Sequence, residues 1–81
     1  MTEDDFNKLD VERKNILLFD CRKITERKIR FTKFELFNID HFFVETRTSA
    51  RHKFKRQMKT YSLTTLPLLY APVIRTLDLG F

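Results

Sequence analysis

Residues 34–48, FELFNIDHFFVETRT, decide how this chain folds. Two apolar-rich runs flank Asn38-Ile39-Asp40-His41, the one turn-like cluster near the middle of the sequence. Asn and Asp side chains hydrogen-bond their own backbone and tolerate positive φ, so a hairpin turning at Asp40-His41 is the natural reading. A two-residue turn there pairs Ile39 with Phe42, Phe37 with Val44, and Glu35 with Thr46. Directly opposed residues share a face, so Phe37, Ile39, Phe42 and Val44 form one apolar patch. The other face carries Phe34, Leu36 and Phe43 beside Glu45 and Arg47. Both faces need cover, which puts the hairpin at the centre of a small sheet.

Working toward the N-terminus, residues 22–31 alternate in character and read as a strand, with a slip near Thr32 that points to a bulge or a break. Before it, Thr2-Glu3-Asp4-Asp5 reads as a helix start, with a hydroxyl cap and three acids at the positive end of the helix dipole. Phe6, Leu9, Ile16 and Leu17 fall roughly on one stripe interrupted by Arg13, which predicts a helix over residues 3–18. Residues 15–19 also fit a short buried strand, because periodicity cannot separate the two over so short a run. Beyond the hairpin strands, at 33–39 and 42–48, Ser49-Ala50 reads as a turn and residues 52–61 as a further strand. A second helix opens around Leu66, where Pro67 is tolerated in the first turn, and ends or kinks near Ala71 ahead of Pro72. The order predicts an α+β fold: an N-terminal helix, a three- to four-stranded antiparallel meander and a C-terminal helix packed on one face, with the helices on the same side.

The segment Leu36-Phe37-Asn38-Ile39-Asp40-His41-Phe42-Phe43-Val44-Glu45 resembles the "aromatic, polar, aliphatic, Asp, Gly, Phe, aromatic, Val, Glu" hairpin of some small uncharacterised bacterial proteins. His41 stands where that pattern prefers Gly. The resemblance spans about residues 13–79 and implies a helix, a meander and a closing helix. It implies no activity.

Eighty-one residues make a single small domain, 1–81. A chain of this size buries only roughly 60–65% of its unfolded surface, so disulfides, a metal or oligomerisation commonly assist. Cys21 is the only cysteine, which excludes an internal disulfide, and Cys21, His41 and His52 lack paired zinc-ligand spacing. Oligomerisation is the helper left open. Nine Phe point to an aromatic core, and a single glycine, Gly80, removes any phosphate-cradling loop. No apolar run approaches the roughly 20 residues that span a bilayer, and the acidic start is not a secretory signal. One unpaired thiol suits a reducing cytosol, so a cytoplasmic location is expected.

The one strong compositional bias is basic. Residues 22–59 hold twelve Lys or Arg against four acids. On a strand over 51–61, Arg51, Lys53, Lys55, Gln57, Lys59 and Tyr61 share one face, while His52, Phe54, Arg56, Met58 and Thr60 share the other. A line of cations with an aromatic at its end attracts a nucleic-acid backbone. The same pattern protects a sheet edge against aggregation. The second feature is the aromatic surplus. Helices on one face leave Phe34, Leu36 and Phe43 as a candidate interface, unless a loop, the N-terminal segment or the stems of Arg47 and Lys33 cover them. Catalysis has no candidate constellation. Asp40 and His41 are adjacent on a turn and point apart, and Asp20 beside Cys21 works against thiolate formation. The sequence therefore predicts a non-catalytic protein-interaction module that binds a protein partner or itself, as a homodimer formed through the sheet, with no cofactor, metal or membrane. The alternative is a nucleic-acid-binding module using Arg51, Lys53, Lys55, Lys59 and Tyr61.

Overall fold

The computed structural model describes residues 1–51 and 56–75. The elements are α1 (Glu3–Asn7), α2 (Val11–Phe19), β1 (Arg22–Ile29), β2 (Thr32–Ile39), β3 (Phe42–Ser49), β4 (Arg56–Ser62), a 3-10 turn (Leu68–Tyr70) and α3 (Ala71–Arg75). The four strands form one antiparallel sheet in the order β1-β2-β3-β4, so the fold is an α+β meander. The central hairpin has the register that its turn chemistry predicts: Ile39 faces Phe42, Phe37 faces Val44, and Glu35 faces Thr46. Asp40 takes the positive φ of the turn, 48°. Asn38 steadies it by donating from its amide to the carbonyls of Asp40 and Phe42.

The slip in alternation near Thr32 is a second tight turn at Arg30-Phe31, with Arg30 at a φ of 54°. The bulge lies elsewhere, at Ile24, where the β1–β2 register shifts between Lys23 and Thr25. The extra residue turns Ile24 toward the second core, described below.

Where the sequence predicts one N-terminal helix, the chain makes two. Thr2 and Asp5 form a reciprocal capping box on α1, and the Asp10 carboxylate accepts from the Arg13 N–H to cap α2 afresh. The break at Lys8-Leu9-Asp10 resets the helical phase. Leu18, not Ile16, therefore turns inward, and Ile16 is 62% exposed. Residues 15–19 are helix, not strand.

The helices do not share a side of the sheet. α1 and α2 cover the patch of Phe37, Ile39, Phe42 and Val44, with Phe6 and Leu18 completing that core. The C-terminal segment crosses to the opposite face, where Tyr70 joins Leu36 and Phe43, flanked by Leu66, Ile74 and Ile24. The physical reason is the hairpin itself. It is apolar on both faces, and each face needs its own cover. Pro72 sits in the first turn of α3, so the C-terminal segment is two short helical turns and not one continuous helix.

Candidate functional site

Strand register builds a row of side chains across the sheet on the face away from α2. Arg27 of β1 pairs with Phe34 of β2, Phe34 with Arg47 of β3, and Arg47 with Gln57 of β4. Neighbouring strands lie about 4.8 Å apart, so the row runs about 14 Å across the strands. The Arg27 and Arg47 guanidiniums lie 5.1 Å and 5.5 Å from the Phe34 ring centroid, within cation–π range. One row further along, Thr25, Leu36, Glu45 and Lys59 share the same face.

Between β3 and β4 this face holds an open cleft of about 460 Å³ lined by Glu45, Arg47, Gln57, Met58 and Lys59. Glu45 is the buried member. Its Oε1 accepts from Arg47 Nε at 3.1 Å and its Oε2 accepts from the Tyr70 hydroxyl. Burial, and then the bond to Glu45, pushes the Tyr70 phenol well above the ordinary tyrosine range. Arg27 also approaches the Tyr70 ring, at 5.9 Å. The C-terminal segment thus walls one side of the face and leaves the Arg27–Gln57 row open beside it.

The opposite face carries charge of a different kind. Lys23 lies 3.5 Å from both Glu26 and Glu35, Lys33 lies 3.1 Å from Glu26, and Arg56 lies 3.6 Å from Glu35. The contact with Lys33 holds the Glu26 carboxyl below its usual range. Arg56 also donates to Asn15 of α2 at 2.6 Å. These cations are matched by carboxylates, so this face offers an anion little. Cys21, at its margin, donates its thiol to the Leu17 carbonyl at 3.1 Å. Burial first, and Asp20 second, raise its pKa, the direction away from a reactive thiolate.

Of the residues singled out from sequence, Leu36 and Phe43 are wholly buried beneath the C-terminal segment and expose no surface for a partner. Phe34 is half-buried beneath Arg27 and Arg47. The other candidate site is split. Lys53 and Lys55 lie outside the described residues. Arg51 is exposed past the end of β3 with its guanidinium over Phe31 at 4.5 Å. Lys59 and Tyr61 do share a face, with the ammonium 5.5 Å from the ring. Sequence reasoning missed Arg27, and placed Gln57 on the basic face of its strand without counting it among the contacts. The Phe34–Arg47 opposition follows from the hairpin register one pair beyond Glu35–Thr46, but the position of Arg27 depends on the Arg30-Phe31 turn.

Fold and site together define a small α+β sheet protein with a cation- and aromatic-lined face. No family model, no curated protein and no solved structure matches the chain. Among the described residues no group of three or more His, Cys, Asp or Glu could hold a metal ion. No described helix is long and apolar enough to cross a membrane.

Proposed function

We propose that this protein is a non-catalytic nucleic-acid-binding module whose contact surface is the open half of the sheet face away from α2. The observation that carries the reading is the Arg27–Phe34–Arg47–Gln57 row, with Lys59 beside it. Arg27, Arg47 and Lys59 are exposed cations on one face, and the single acid among them, Glu45, is already engaged by Arg47 and Tyr70. Exposed cations of this kind neutralise phosphates and release counterions. The overall charge of +5 favours encounter with a polyanion. The site differs from the strand 51–61 line in that cations come from β1 and β3 as well as β4. We propose a cytoplasmic location with it, where a free thiol such as Cys21 persists.

The test is retention on heparin and an anisotropy titration with a labelled mixed-sequence oligonucleotide at about 50 and 200 mM salt. Three phosphate contacts predict a log–log salt slope of roughly −2 to −3. Arg27→Gln with Lys59→Gln removes two exposed cations that form no salt bridge among the described residues, and the slope should then fall by about 1.4–1.8. An unchanged slope, or no retention by the native chain at the lower salt, ends the proposal.

A second reading rests on α2. Val11, Ile16 and Phe19 are 60%, 62% and 88% exposed, and Ile16 and Phe19, three residues apart, adjoin on the outward side of the helix. With Leu36 and Phe43 buried, the exposed apolar side chains of this helix are the surface this reading assigns to self-association. Sedimentation across a concentration series decides it. Ile16→Ser with Phe19→Ser should abolish any dimer and leave the melting temperature unchanged.

A further inference from the structure

We infer that the sheet site takes single strands through base stacking, and discriminates against duplex; this deepens the nucleic-acid reading and rests on it. The row offers flat groups more than point charges. Two guanidinium groups lie over one phenyl ring, their carbons 5.1 Å and 5.5 Å from its centroid, and Gln57 follows in register across the sheet. Guanidinium and aromatic planes are surfaces on which unpaired bases stack, and an amide hydrogen-bonds base edges. Holding both guanidiniums against Phe34 lowers the ordering cost of presenting them.

Glu45 points the same way. It lines the cleft between Arg47 and Lys59 while only 3% exposed. Glu45 already takes up one Arg47 N–H, so phosphates stay with the outer, exposed cations, and the uncharged base is the part of a nucleotide that lies over the cleft.

Duplex fits poorly. Reading base edges in a duplex requires a helix or a two-stranded ribbon projecting into a groove about 12 Å wide. Here the row lies on a sheet face, with the C-terminal segment standing beside it at Tyr70. Three cations alone make weak electrostatic binding. Stacking adds about five- to a hundredfold in affinity per base and supplies what charge lacks.

The experiment titrates the native chain with one labelled oligonucleotide as a single strand and as its duplex, with heparin retention as the charge-only control. The single strand should bind at least about tenfold tighter than the duplex. Phe34→Leu keeps an apolar group beneath the two arginines, and Arg47→Lys keeps the charge but loses the plane. Each should weaken single-strand binding about five- to tenfold and leave heparin retention unchanged. Phe34→Leu should also keep the melting temperature, whereas Arg47→Lys gives up the Nε–H bond to Glu45 and is read below its own, lower melt. If duplex and single strand bind equally and neither variant matters, stacking is wrong and only charge-driven binding survives. If nothing binds at low salt, the functional reading itself falls.

Discussion

The Tyr70 hydroxyl donates to Oε2 of Glu45, twenty-five residues earlier in the chain, and so fastens the C-terminal segment to β3. Both residues are almost fully buried, at 2% and 3% exposure. Burying an unpaired carboxylate is costly, and here both of its oxygens are hydrogen-bonded, the second by Arg47. The pair therefore explains why a short segment with few helical turns stays on the sheet. It also fixes the border between the covered and the open half of that face.

Tyr70→Phe removes the donor and leaves a buried carboxylate oxygen unsatisfied. The expected loss is about 1–3 kcal/mol by urea titration. A pH effect accompanies it. The folded phenol stays neutral above its ordinary range while the unfolded phenol ionises near pH 10, so the native state binds the extra proton. That stability is fully present below about pH 10 and falls above it by up to about 1.4 kcal/mol per pH unit. Tyr70→Phe should lack this component, so parallel alkaline profiles for the two proteins count against the assignment.

Both faces of the hairpin are core. Phe37→Ala and Phe42→Ala on one side, and Phe43→Ala on the other, should each cost about 3–5 kcal/mol. Phe34, half-covered by two arginines, should lose only about 1–2 kcal/mol on truncation to Ala. Thermal melts of the four variants test the ranking, and Phe43→Ala melting close to the native chain would contradict the second core.

Arg30 holds a left-handed backbone that costs a residue with a Cβ about 1–2 kcal/mol. Part of this returns with glycine, less the entropy that glycine adds to the unfolded chain, so Arg30→Gly should gain about 0.5–1 kcal/mol. Asp40→Gly should gain less, because Asp tolerates that region better. A loss of stability in Arg30→Gly would mean that the β1–β2 turn has a different geometry.

The break between α1 and α2 depends on a cap. Asp10→Ala should cost about 0.5–2 kcal/mol, because the Arg13 N–H loses its acceptor. The neighbouring exposed Lys8→Ala should stay within about 0.5 kcal/mol. Equal effects at the two positions would argue for one continuous helix.

The hairpin was legible in full, register included, because everything that sets it lies within ten or so residues. Turn chemistry at Asn38–His41 locates the reversal, and the period of two then assigns Phe37, Ile39, Phe42 and Val44 to one face. The class followed from the order of elements for the same local reason. The helix break was harder to see. Asp10 is an ordinary exposed acid in a continuous pattern until its carboxylate caps a new start, and only the phase of Leu18 and Ile16 reveals it.

Which face the C-terminal segment covers was decided by tertiary structure alone. Sequence shows that Leu36 and Phe43 need cover. It does not show that Leu66, Tyr70 and Ile74 provide it, because that choice minimises exposed apolar area over the whole molecule and leaves no local trace. The consequence reaches the candidate site. Had both chain ends packed together, Phe34, Leu36 and Phe43 would have formed one exposed apolar patch. With the C-terminal segment on this side, two of the three are core, and the third lies between arginines from strands on either side of it. Arg27 and Arg47 are twenty residues apart in sequence, and two turns and a shared register, not any motif, bring them to one ring.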